Sequence, residues 1–95
     1  MRLVISQAVA KKLAEKHRVS RRELEQCFEN RIGGLLLDTR EEHRTDPPTL
    51  WFLAETDAGR KLKVVFVQRG ELVFVKTAYD ANDDEKEIYM EKFGV

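Results

Sequence analysis

Apolar and polar residues alternate along three consecutive runs in the second half of the chain. The runs are Thr49 to Thr56, Lys61 to Gln68 and Glu71 to Tyr79. Short links that contain glycine join them, as β-hairpins require. This pattern predicts three antiparallel strands that follow one another as a meander. The short apolar run Leu35 to Leu37 could add a fourth strand.

The side chains of each predicted strand should alternate between two faces of the sheet. The middle run is apolar on both faces, which is typical of a central strand that is covered from two sides. In the third run one face holds Leu72, Phe74 and Lys76, and the other holds Val73, Val75, Thr77 and Tyr79. We therefore expect Phe74 and Tyr79 to point to opposite faces.

Two helices are predicted before the meander. Ser6 is suited to cap a helix from Gln7 to about His17, after a short extended lead-in. Ser20 and Glu23 have the spacing of a capping box, so they should open a second helix that ends before Gly33. The first part of the chain is thus predicted to be a helical hairpin.

A last helix is predicted after the meander, because Asn82 and Glu85 repeat the capping-box spacing. It should extend through Tyr89. We therefore expect one α+β domain over residues 1–95, in which two N-terminal helices and a C-terminal helix pack on a three- or four-stranded antiparallel sheet. A parallel sheet or an all-helical bundle would contradict this interpretation.

Composition narrows the class of protein without assigning a function. The 95 residues include 17 Lys plus Arg and 17 Asp plus Glu, so the totals exclude a strongly basic nucleic-acid binder and an acidic tail protein. We find no apolar run of membrane-spanning length and no signal peptide, and we expect a cytoplasmic protein that does not use a membrane. Cys27 lies on the apolar side of its helix and is expected to be a buried structural thiol.

The sequence shows no motif for a metal or for a phosphate-binding loop. Its two histidines and one cysteine lie in three separate predicted elements, without the spacing of a zinc site. Gly33-Gly34 lacks the Lys and the Ser or Thr that follow the glycines of a phosphate loop. We therefore expect no metal and no cofactor.

Basic residues gather at two places that could bind an anion. His17 stands at a helix end between Lys16 and Arg18, where it could clamp phosphate and act as an acid or base, or simply meet the helix dipole as a cation. Arg60 begins the central strand, and antiparallel pairing should bring it toward the strand that carries Lys76 and Tyr79. That basic edge could hold a polyanion or protect the sheet from aggregation.

The segment from Thr39 to Pro48 is a predicted loop with no periodicity. Pro47-Pro48 fixes two φ angles where the chain re-enters the sheet. We expect this loop to fold over one edge of the sheet and to bring Arg40 and His43 near the strand of Lys76. The alternative is a solvent-exposed loop whose charges balance locally.

Two segments of the chain resemble a known family. Lys16 to Ser20, which reads Lys-His-Arg-Val-Ser, is similar, together with Glu23, to the Lys-His-Gly-Val-Ser segment of BrnT-like toxins, members of the RelE/ParE-like ribonuclease-toxin superfamily. Thr77 to Ala81, followed by Glu85 and Tyr89, resembles the Ser-Ala-Arg-x-Ala, Glu and Tyr of the same family. Between them, Ala58 to Leu62 and the run Val64 to Phe66 resemble the turn and central strand of that family.

The resemblance implies a RelE-like fold, an RNA substrate that is cut without a metal ion, and a cognate antitoxin. Such chemistry needs a base for the ribose 2′-hydroxyl, an acid for the leaving group, and cations for the phosphorane. His17 or His43 would be base or acid, and Tyr79 or Tyr89 would donate a proton. The cations that would hold the RNA are Lys16, Arg18, Arg40, Arg60 and Lys76.

Departures from the family pattern leave a second hypothesis open. Tyr79 stands where the family has arginine, and Arg18 where it has glycine. The chain could therefore be a non-catalytic relative that keeps the scaffold and binds a protein partner. The segment with Arg40 and His43 resembles a small group of uncharacterised proteins, some of them labelled ADP-ribosyl-(dinitrogen reductase) hydrolase, but the acidic metal-binding motifs of such hydrolases are absent here.

Overall fold

The structure is a computed structural model that describes residues 1–39 and 45–95. Its helices are α1 (Gln7–Lys12), which continues as a π-helical segment over Leu13–His17, α2 (Arg21–Asn30) and α3 (Asp83–Phe93). Its strands are β1 (Arg2–Val4), β2 (Leu36–Leu37), β3 (Thr49–Glu55), β4 (Lys61–Arg69) and β5 (Leu72–Asp80). The α+β fold expected from the sequence is confirmed.

The described strands form one sheet in the order β1-β5-β4-β3-β2. The meander β3-β4-β5 is antiparallel as predicted, and β2 supplies the fourth strand. The sheet nevertheless has one strand more than expected, because the extended lead-in pairs parallel with β5 and makes the sheet mixed. Three residues are too few for alternation to identify a strand. Pairing with β5, together with a bond from the Arg2 amide to the Glu71 carbonyl, makes this segment β1.

Local capping starts the helices at the predicted positions. The Ser6 side chain accepts the Val9 amide at the start of α1. Both reciprocal bonds of a capping box are present between Ser20 and Glu23, and again between Asn82 and Glu85. Each box satisfies backbone donors that the first helical turn leaves unpaired. Among the described residues, no helix combines the length and apolar character needed to cross a membrane.

Helices cover both faces of the sheet, so β4 is the central buried strand that the sequence predicts. On one face the Phe28 ring of α2 packs edge-on against Phe52 and Phe66, with centroids 4.9 and 5.4 Å away. On the other face Tyr89 of α3 packs against Trp51 at 6.0 Å. Aromatic rings thus pack on both sides of the sheet, within a core whose other buried residues are mostly aliphatic.

Cys27 is fully buried on α2 and donates its thiol to the Ala54 carbonyl at 3.7 Å. Burial raises the pKa of the thiol to about 12. A thiol with such a pKa holds almost no reactive thiolate at neutral pH. The interpretation of Cys27 as a structural residue is confirmed.

A β-bulge in β5 overturns the predicted faces of that strand. Val75 pairs with Phe66 and Thr77 pairs with Val65, so the intervening Lys76 has no partner of its own. The extra residue shifts the alternation by one position. Thr77 and Tyr79 therefore lie on the same face as Phe74, and the prediction that they lie opposite Phe74 was wrong.

Candidate functional site

His17 ends the π-helical segment and packs against β5. Its ring centroid lies 5.6 Å from that of Tyr79, and its side chain is only partly exposed. Burial, together with the positive charges of Lys16 and Lys12, holds the pKa of His17 below its ordinary value of 6.5, although the Asp80 carboxylate opposes this shift. The imidazole is therefore mainly neutral at pH 7, the form that can accept a proton.

Arg60 fixes the position of His17 through the backbone. Its guanidinium donates to the carbonyl of His17 at 2.8 Å and to that of Arg18 at 2.7 Å. These carbonyls end the helical segment and would otherwise lack partners. Arg60 thus attaches the end of the helical segment to the start of β4.

The remaining donors of Arg60 bind two carboxylates. Nε and Nη2 form a bidentate pair with Asp80 at 2.8 and 2.9 Å, and Nη1 lies 3.2 Å from Glu23. The hydrogen bond from Arg60 lowers the pKa of Asp80. All five N–H groups of the guanidinium are therefore engaged. This arrangement favours a positioning role for Arg60 over the phosphate-binding role that the sequence suggested.

Arg18 has a left-handed backbone conformation, with φ 54° and ψ 45°. This conformation commonly ends helices, and glycine adopts it without steric cost. The side chain of Arg18 is exposed, as is that of Lys16, so both cations remain accessible beside His17.

Tyr79 belongs to a second, more buried cluster. Its hydroxyl donates to Glu85 at 3.0 Å, and the Lys63 ammonium lies 2.8 Å from the same carboxylate oxygen. The Lys63 ammonium also stacks 4.5 Å from the Trp51 ring centre. Burial and the bond to Glu85 raise the pKa of Tyr79, so its hydroxyl is a poor acid. Sequence reasoning did not identify the pairing of Lys63 with Glu85, because no local pattern links the two residues.

Tyr89, the other predicted proton donor, lies in the core. Its side chain is 1 % exposed and its hydroxyl donates to the Gly34 carbonyl at 2.6 Å. Its ring also packs closely against Gly33. The structure therefore gives Tyr89 a packing role, with its hydroxyl engaged by Gly34.

Lys76 is exposed at the bulge of β5 and lines a cavity of about 250 Å³. The other residues around this cavity are Thr45, Asp46, Pro47, Val67, Arg69 and Phe74. The end of the predicted loop thus lies against β4 and β5, where Arg69 donates to the Asp46 carbonyl at 3.3 Å. The predicted approach of Arg40 and His43 to this strand lies outside the described residues.

The structure therefore groups His17, Lys16, Arg18 and Tyr79 at one end of β5, with Arg60 holding the group in place. Across residues 1–39 and 45–95, no set of three His, Cys, Asp or Glu side chains is placed to hold a metal ion. The arrangement can offer a neutral base beside exposed cations. No family model matches this chain, and no match was found among curated proteins.

Proposed function

We propose that this protein is a metal-independent endoribonuclease toxin whose reaction centre is His17. The observation that carries the proposal is the partly exposed imidazole of His17, fixed between Tyr79 and the backbone clamp of Arg60, with Lys16 beside it in sequence. A base held in one position next to cations is what cleavage of RNA by its own 2′-hydroxyl requires.

The proposed reaction is internal transesterification. Neutral His17 removes the proton of a ribose 2′-hydroxyl, and the 2′-oxygen attacks the adjacent phosphorus. The bond from phosphorus to the 5′-oxygen breaks, and the proton held by His17 passes to that leaving oxygen. The products are a 2′,3′-cyclic phosphate and a 5′-hydroxyl. Lys16 and Arg18, both exposed, stabilise the extra negative charge on the phosphorane.

Tyr79 has a positioning role in this proposal. Its ring contacts His17 while its hydroxyl is held by Glu85, so the Lys63 cluster sets the orientation of the ring that supports the base. A toxin of this type would be controlled by a cognate antitoxin, and the exposed surface around His17 is the place such a partner would cover.

The test is cleavage of a single-stranded RNA by the purified chain, with a 2′-deoxy oligonucleotide of the same sequence as the matched substrate control. We expect His17→Ala to lower the rate at least about 100-fold. Lys92→Ala, which removes an exposed cation from α3, should leave the rate unchanged. Equal rates for wild type and His17→Ala, or no cleavage by the wild type, would overturn the proposal.

The pH dependence gives an independent check on the same base. Since the pKa of His17 lies below 6.5, kcat/KM should rise with pH and reach its plateau near neutrality. The midpoint of that rise should lie below 6.5. Replacing Lys16 with Gln removes one of the charges that lower this pKa, so the midpoint should move upward.

The second candidate function is a protein-binding relative without catalysis. Two observations favour it: the donors of Arg60 are all engaged, and the Tyr79 hydroxyl is held by Glu85. Neither group is then free to act on RNA. Intact RNA in the cleavage assay, combined with a stable complex with an antitoxin-like partner, would establish this function instead.

A further inference from the structure

The bulge at Lys76 places Leu72, Phe74, Thr77 and Tyr79 on one face of β5. Phe74 pairs with Val67 and Tyr79 pairs with Lys63, and these two β4 residues are four positions apart on one face. Phe74 and Tyr79 therefore face the same way, about 13 Å apart for four positions of β4 at about 3.3 Å per residue. That distance spans a few nucleotides of extended single-stranded RNA.

The cavity at the Phe74 end combines an aromatic ring with positive charge. Phe74 is partly exposed, while Lys76 and Arg69 are exposed on the rim. Pro47 and Val67 complete the apolar lining. Among the described contacts, Arg69 uses one donor on the Asp46 carbonyl, which leaves most of its guanidinium for a ligand. Asp46 supplies one acidic group against these two cations.

We propose that Phe74, Lys76 and Arg69 form a second nucleotide subsite, in which a base stacks on Phe74 and the adjoining phosphate binds the two cations. The proposal rests on the function proposed above and extends it by placing the RNA strand along β5, from the His17 centre to Phe74. Stacking on an aromatic ring together with cationic contacts to the backbone is how proteins hold single strands without reading their sequence. The surface therefore selects single-stranded RNA of at least a few nucleotides.

The subsite is tested by binding rather than by cleavage. The ligands are a 2′-O-methyl uridine mononucleotide and the corresponding tetranucleotide, which the proposed reaction cannot cut because the 2′-oxygen is blocked. We expect wild type to bind the tetranucleotide more tightly than the mononucleotide. Phe74→Leu should weaken tetranucleotide binding about tenfold.

The salt dependence of oligonucleotide binding distinguishes the contribution of the Phe74 ring from that of Lys76 and Arg69. Lys76→Ala and Arg69→Ala should each reduce the slope of log K against log salt by about 0.7, the value for one phosphate contact on a single strand. Phe74→Leu should leave that slope unchanged. Lys92→Ala is the control cation. Lys76 and Arg69 are exposed, so their variants test the subsite even if Phe74→Leu fails to fold.

The subsite and the proposed function fail in different ways. If Phe74→Leu folds and binds the tetranucleotide as wild type does, or if both cation variants keep the wild-type salt slope, the subsite is wrong even when His17-dependent cleavage is observed. Tetranucleotide binding that depends on Phe74 and Lys76, without any cleavage, supports the subsite while overturning the endoribonuclease.

Discussion

Replacement of Glu85 by Gln should test the buried charge pair that Glu85 forms with Lys63. Lys63 is 9 % exposed and Glu85 is 13 % exposed in their side chains, with 2.8 Å between the charged atoms. Gln has nearly the same shape and its oxygen can still accept the Asn82 amide, but its NH2 group then replaces the oxygen that binds Lys63 and the Tyr79 hydroxyl. An ammonium group would then remain near the Trp51 ring without its counter-ion.

The expected cost is about 3 kcal/mol, at the lower end of the range for breaking a buried pair, because the Gln oxygen still accepts a hydrogen bond. In a domain of this size such a loss lowers Tm by about 12 to 24 °C. Urea unfolding at pH 7, followed by circular dichroism, measures the loss. Glu91→Gln changes an exposed acid on the same helix and should stay within about 0.5 kcal/mol of wild type.

The pKa of Glu85 predicts how the stability contributed by its pair with Lys63 changes with pH. Burial alone would raise the pKa of Glu85, but the bonds from Lys63, the Asn82 amide and Tyr79 outweigh it and lower the pKa below 4.5. The stabilisation is therefore complete above pH 4.5 and is lost as the pH falls through the lower folded-state pKa. Glu85→Gln should remove this acid-dependent loss.

A double-mutant cycle with Lys63→Met decides whether the two charges act together. Met fills the space of the Lys63 stem without the charge, so Lys63→Met should cost much less in the Glu85→Gln background than in wild type. Additive effects of the two substitutions would refute the reasoning. A cost below about 0.5 kcal/mol for Glu85→Gln would also refute it.

Substitutions at three further positions test the scaffold around the site by urea unfolding. Arg60→Met should lower the free energy of unfolding by about 3 kcal/mol, because it removes the bonds to the His17 and Arg18 carbonyls and leaves two carboxylates without their partner. A loss no larger than that from substituting an exposed arginine such as Arg22 would contradict the role of Arg60. Since φ of Arg18 is 54°, Arg18→Gly should stabilise the fold by about 0.5 kcal/mol and Arg18→Val should destabilise it. A valine variant more stable than the glycine variant would contradict the left-handed conformation of Arg18. Gly33→Ala should lower the free energy of unfolding by about 2 kcal/mol, because the added Cβ would lie 2.5 Å from the hydroxyl oxygen of buried Tyr89. In Gly70→Ala the added Cβ meets no neighbouring atom, so that variant tests only the positive φ of Gly70.

The sequence by itself determined the elements whose signals are local. Capping boxes act between residues three positions apart, so Ser20 with Glu23 and Asn82 with Glu85 were readable without a tertiary structure. Strand alternation likewise depends on neighbouring positions, which is why the meander and the burial of β4 were predicted correctly. The position of His17 at a helix end followed from the same local reasoning.

Only the tertiary structure decided the parts that depend on register and packing between distant segments. The bulge at Lys76 arises from how β5 pairs with β4, and no residue in β5 signals it locally, so the faces of Phe74 and Tyr79 were predicted wrongly. Arg60 looked like a free cation because its partners lie in three other parts of the chain. Long-range contacts of this kind are set by the packing of whole elements, and the composition of any one segment does not specify them.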